Sequence, residues 1–164
     1  MSSQVIILAH DLWRKGAGGA PAGLAGQADS FAYAGLDLGL AQFAGSTFNG
    51  SSFAAVSFRQ AGWSACRFTG CSFTQCDFEA MAITGCTFVD CTFAQSSFDR
   101  SQLSHTSFRQ CHWDSLSFAQ GQWSSVDVLD CSGTVVTGEG LQGRCVDFTG
   151  STFERLEFRN AQIN

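Results

Sequence analysis

The run CRFTGCSFTQCDF, residues 66–78, decides the fold. Phe68, Phe73 and Phe78 stand five apart, and each is preceded two residues earlier by Cys66, Cys71 or Cys76. Followed outward, the Phe column runs from Tyr33 to Ile163 in one frame of 27 positions, 24 of them Phe, Trp, Tyr, Leu, Ile or Val. It holds 15 of the 16 phenylalanines, among them Phe48, Phe53, Phe58, Phe88, Phe93, Phe98, Phe108 and Phe118. Phe31 is the sixteenth, and it falls in the other column. That column takes small or aliphatic residues, such as Ser46, Val56, Ala61, Met81 and Cys86. Neither column contains Asp, Glu, Lys or Arg. Two positions of every five therefore point inward and three point outward.

A period of five fits neither a helix nor a plain strand, but it fits a short strand followed by a tight turn. A slip of one residue would carry charges into the interior, so the frame enforces itself. These Ser/Cys-x-Phe-x-x units over residues 31–164 resemble the pentapeptide-repeat family. The resemblance implies an all-β fold, a right-handed quadrilateral β-helix with four pentads per coil and about 6–7 coils in all. Residues 20 apart should then stack. Cys71, Cys91, Cys111 and Cys131 have that spacing, as do Gln102, Gln122, Gln142 and Gln162. Ser52, Ser72, Thr92, Ser132 and Thr152 follow it too, interrupted by His112. Like on like is what parallel in-register strands favour. At a strand spacing of ~4.8 Å the rod is roughly 30 Å long.

The repeat has three irregular places. Gly133, Gly138 and Gly143 occupy consecutive large-residue positions, so one coil is either thin or, over Ser132–Gly140, a loop leaving the wall. The thin coil is favoured because the frame resumes at Phe148. Residues 1–30 lie outside the repeat: Val5–Leu8 with Leu12 and Trp13 form an apolar cluster, and Gly16–Gly26 reads as a flexible linker. Solenoids need covered ends, so Val5–Trp13 is expected to cap the first coil, with a docking peptide or the remnant of a junction to another domain as the alternatives. At the other end Leu156, Phe158, Ala161 and Ile163 lie in a coil with no evident cap. Exposed strand edges and apolar side chains there predict a homodimer through that end.

Chemistry is sparse. Seven of the eight Cys fall in the inward small column, where a thiol behaves as a small hydrophobe. No CxxC occurs, and Cys145, the outward one, lies about 10 Å from His105, two coils away. No metal site, cofactor site or catalytic dyad is read, and an enzyme is not expected. Met1–Leu8 lacks a basic leader and no apolar run reaches membrane-span length. The expectation is a bacterial cytoplasm with free thiols, compatible with export by a route that uses no cleaved signal.

Two functions are weighed. The first is a protein-binding scaffold or adaptor, which the family resemblance associates with bacterial secretion systems. Gly133, Gly138, Gly143 and the last coil are its candidate contacts. The second, also implied by the resemblance, is a mimic of duplex DNA that engages DNA gyrase. Magnitude favours the first. A 30 Å duplex carries roughly 18 phosphate charges, whereas residues 31–164 carry 12 acidic and 7 basic residues, net −5. Direct nucleic-acid binding is not expected of so acidic a chain. A surface that orders water or ice, suggested by the Ser/Thr ladder, ranks last.

Overall fold

The computed structural model describes residues 2–164. A helix, α1 (Ser3–Arg14), precedes a succession of short strands that begins with β1 (Gly23–Ala25), β2 (Ala28–Asp29) and β3 (Ala32–Ala34). Every strand pair is parallel, and beyond the first coil each residue pairs with the one 20 further on. Four walls result. The first stacks Gln42, Gly62, Ala82, Gln102, Gln122, Gln142 and Gln162. The second stacks Phe48, Phe68, Phe88, Phe108 and Val128. The third runs from Tyr33 through Phe53, Phe73, Phe93, Trp113 and Gly133 to Phe153. The fourth carries Asp37, Ser57, Asp77, Ser97, Ser117, Thr137 and Glu157. The chain is a β-solenoid of about seven turns.

The pentad dictates the corners. A strand of three residues must turn a right angle within two, and the left-handed backbone region supplies the turn. Of the 26 positions at five-residue intervals from 35 to 160, 24 have positive φ. The exceptions are positions 135 and 155. Val135 is β-branched, and for such residues the left-handed region is especially costly. There the ladder continues round the corner, with Val135 paired to Arg155.

The interior is a set of aromatic stacks. Phe48, Phe68, Phe88 and Phe108 lie nearly parallel with successive centroids 4.6, 4.8 and 4.8 Å apart. Phe78 sits 4.3 Å below Phe98, and Phe98 sits 4.9 Å below Phe118. Within a coil, neighbouring rings meet edge to face, as Phe68 and Phe73 do at 64°. Both geometries suit the ring quadrupole. The inward cysteines fill the space between rings, and all eight are free. The Cys71 thiol donates to the Phe48 carbonyl at 3.4 Å, and Cys91, Cys111 and Cys131 repeat the contact with Phe68, Phe88 and Phe108. Burial pushes the Cys76 thiol up to about 11. The thiol one coil away, together with burial, raises Cys71, Cys86 and Cys111 as well, while the same sulfur–sulfur contacts lower their partners Cys66, Cys91 and Cys131.

The wall begins earlier than residue 31. β1 and β2 already pair with Gln42–Ala44 and Thr47–Asn49, but at an offset of 19, while β3 pairs at 20. One residue is missing between Asp29 and Tyr33. Phe31, assigned inward by the frame, is therefore 41% exposed. Gly23–Gly26 belongs to the solenoid rather than to a linker. Asp29 takes the ring position below Phe48 and is buried. Its carboxyl group accepts from Ser3 Oγ at 2.6 Å, Ser51 Oγ at 2.7 Å, the Phe31 N–H at 3.0 Å and the Tyr33 hydroxyl. Burying it is tolerable because four donors replace water.

α1 lies across this first coil. Ser2 caps it by accepting from the Val5 N–H at 3.3 Å. Ser3, Ile7, His10 and Asp11 form its buried stripe. The ring of His10 accepts the Ala22 N–H at Nδ1, 2.8 Å, and its Nε2 lies 2.7 Å from the Gly39 carbonyl, to which it donates. Asp11 accepts the Asp37 N–H at 2.7 Å and pairs with Lys15. Burial acts to raise the Asp11 carboxyl, but Lys15 and the Asp37 N–H outweigh it and hold the group below its ordinary value.

The glycine coil stays in the wall. Ser132–Thr137 is a continuous strand paired on both sides. Its missing rings are compensated by large neighbours: Trp113 lies below Gly133, Phe118 below Gly138 and Trp123 below Gly143 in the 20-residue stack. Trp113 reaches Phe153 across the gap at 5.6 Å, and Trp123 reaches Phe148 at 6.0 Å. A Cβ on Gly133 would fall 2.1 Å from the Trp113 carbonyl oxygen, and one on Gly138 would fall 2.8 Å from the Phe158 ring. The indole N–H groups of Trp113 and Trp123 are buried without partners, a cost of about 1–3 kcal/mol each.

Four outcomes follow. Phe98→Ala should cost about 3–5 kcal/mol in chemical denaturation. Gly133→Ala should cost about 1–3 kcal/mol through the clash with Trp113, whereas Gly23→Ala, with nothing within 4 Å of its added carbon, should stay near neutral. Thiol titration of the native chain should count one reactive group, the exposed Cys145, and eight in denaturant. In the unfolded chain the Cys76 thiol ionises near 8.5, while folding holds its proton until about 11. Its stabilising contribution is thus complete below pH ~8.5 and is lost as pH rises through that interval.

Candidate interaction surfaces

Chemistry-bearing side chains are scattered over the walls rather than gathered. Among the described residues no group of three or more His, Cys, Asp or Glu is placed to hold a metal ion. His112 Nδ1 lies 3.1 Å from Ser132 Oγ, but the pair stands exposed on a flat wall. Cys111, the sequence neighbour of His112, is buried on the opposite side of the strand. No helix among the described residues is long and apolar enough to cross a membrane.

What remains is surface. On the first wall the Gln102, Gln122, Gln142 and Gln162 ladder stands beside Ser104, Ser124 and Arg144, flanking a shallow groove of about 460 Å³. The ladder was legible as a 20-residue spacing. The groove was not, because its depth depends on the side-chain lengths of two adjacent columns.

Near the fourth wall the acids are neutralised rather than arrayed. Arg59 pairs with Glu79 at 2.6 Å and with Asp77 at 3.5 Å, and Arg100 also reaches Glu79. Further along, Arg155 pairs with Glu157 at 2.5 Å. Burial and the Asp99 charge raise the Asp77 carboxyl although Arg59 opposes them. Asp127 stacks on Asp147 on the second wall, and Glu79 and Asp99 stand one coil apart beside the fourth.

The two ends differ. At the first coil α1 covers the rings. At the last, Phe148, Phe153, Phe158, Ala161 and Ile163 are only partly buried, and Leu156 is 42% exposed. Gly133, Gly138 and Gly143 lie one coil below, under these rings, so they shape that surface from beneath.

Comparison with known proteins agrees with this architecture. Residues 61–137 match the family model described as a pentapeptide repeat region. A trypsin-treated variant of QnrB1, a plasmid-mediated fluoroquinolone resistance protein, is similar at 15% identity and a TM-score of 0.50, covering 84% of this chain and 91% of its own. HetL, a pentapeptide repeat protein involved in heterocyst differentiation regulation in the cyanobacterium Nostoc, is 11% identical with a TM-score of 0.40 and covers 99% and 94%. No curated protein sequence matches significantly. The matched region spans just under half of the chain, and the same five-residue frame and four parallel walls continue on both sides of it, so the whole solenoid is similar to the pentapeptide-repeat proteins.

Proposed function

We propose that this chain is a non-enzymatic scaffold or adaptor that binds other proteins, with its last coil as the principal contact. The observation that carries the reading is the contrast between a filled interior and an apolar end. Rings such as Phe48, Phe68, Phe88 and Phe108 fill the axis at 4.6–4.8 Å intervals, and Trp113 and Trp123 reach across the glycine coil to Phe153 and Phe148, which leaves little room there for a small molecule. Leu156 and the half-buried Phe153 and Phe158 meanwhile present apolar surface beside strands with unpaired edges. Two such coils meeting across a two-fold would satisfy both needs. A homodimer through Leu156, Phe158, Ala161 and Ile163 is the simplest form, and a different protein seated there is the adaptor form. A bacterial cytoplasmic setting next to a secretion system fits an adaptor whose thiols are all free.

The gyrase-binding DNA-mimic reading has less support. Its acids would have to line one side of the rod, but they are spread over several walls, and Asp77, Glu79 and Glu157 are paired with arginines. Similarity in fold to a fluoroquinolone resistance protein at 15% identity does not carry that activity across.

Below micromolar concentration, sedimentation of the full chain should give twice the chain mass, reduced by Leu156→Glu with the β-sheet circular dichroism unchanged. A chain whose mass is indifferent to Leu156→Glu, and which captures no partner through that end, contradicts the scaffold reading. A gyrase supercoiling assay should show neither inhibition nor drug protection at micromolar chain.

A further inference from the structure

α1 is amphipathic in the wrong sense for a simple cap. Its buried stripe is Ser3, Ile7, His10 and Asp11, three polar residues of four, held to the first coil by hydrogen bonds. Its outward stripe is Val5, Leu8, Leu12 and Trp13, exposed by 49, 41, 44 and 39%. These four make up half of the large hydrophobics exposed among the described residues, and two more, Phe31 and Leu40, lie on the coil that α1 covers. A surface helix normally turns its apolar side to the core. A patch of this kind marks an interaction site.

We propose that the outward face of α1 is a self-docking surface, on which a second copy of this chain lays its own α1 antiparallel across a two-fold axis near Leu8 and Ala9. Three features point to a copy of the chain as occupant. Val5, Leu8 and Leu12 stand at i, i+3 and i+7, the seam spacing of paired helices. The seam is graded in size, from Val5 at one end to Leu12 and Trp13 at the other, so antiparallel pairing sets small against large, with the half-buried Ala9 allowing close approach at the centre. No charged residue lies between Ser2 and Ala9, and Arg14 and Lys15 are already paired with Asp37 and Asp11, so the two-fold brings no unpaired like charges together. Antiparallel helix dipoles also attract.

Twelve residues of helix are about 18 Å long. With Phe31 and Leu40 alongside, the contact falls near the lower limit of specific interfaces, about 600 Å² per partner. It should therefore be reversible in the micromolar range. The contact is separate from the one at the last coil, and joined to it would string copies end to end.

The test uses the full chain carrying Leu156→Glu, which removes the other contact, and Cys145→Ser, which removes the exposed thiol. Sedimentation at rising concentration should show a monomer passing to a dimer, and adding Leu8→Glu and Leu12→Glu should abolish it, with circular dichroism unchanged. Ala9→Cys in the same background should cross-link to itself under mild oxidation, and Gln4→Cys should do so far less. A monomer at every concentration with no Ala9→Cys cross-link overturns the proposal. So does binding to phosphatidylglycerol vesicles, read by a blue shift of tryptophan fluorescence that Trp13→Phe removes, in place of self-association.

Discussion

The structure depends on a fixed coil length. Inward rings rest on the rings 20 residues before them at the spacing of parallel strands, and the coil keeps that register when each of its four strand-and-corner units uses five residues. Stacks such as Phe48–Phe68–Phe88–Phe108 turn that count into contact energy. The corners enforce it from outside, since a left-handed residue every fifth position is what lets so short a strand turn. Ring stacking, the thiol ladder and the neutral interior are consequences of this one constraint.

The constraint explains what could be read from sequence. Both inward columns, the four walls and the 20-residue ladders are periodic properties, and periodicity survives without coordinates. The glycine coil was legible as a gap, but its resolution was not. Trp113 and Trp123 stand one coil below Gly133 and Gly143, and that large-over-small pairing becomes visible only when residues 20 apart are compared for volume. Asp29 was hidden for a different reason. The coil that holds it is one residue short, so it left the frame, and its burial depends on Ser3 from α1. The N-terminal apolar cluster implied a cap without showing which side meets the coil, and Val5, Leu8, Leu12 and Trp13 face outward. Hydrogen-bonding groups won the inner face because the first coil presents backbone donors and acceptors, such as the Ala22 N–H and the Gly39 carbonyl, that need partners. Apolar content alone could not show that.

A filled rod can act only through its outside. Its walls are flat ladders of small polar side chains, and its acids are dispersed, with Asp37, Asp77, Glu79 and Glu157 paired with arginines. The apolar surface is concentrated at the ends, the first carried by a helix and the last by a bare coil. That distribution suits recognition between proteins and gives small-molecule chemistry little to work with.

The missing residue between Asp29 and Tyr33 is tolerated where a helix supplies the replacement contacts; in mid-rod nothing would. The most direct measurement is therefore the unfolding of two shortened chains, one lacking residues 81–100 and one lacking residues 82–100. Loss of a whole coil should leave a cooperative β-solenoid shorter by ~4.8 Å, while loss of 19 residues should abolish cooperative unfolding. Equal stability of the two would contradict a core held by 20-residue stacking.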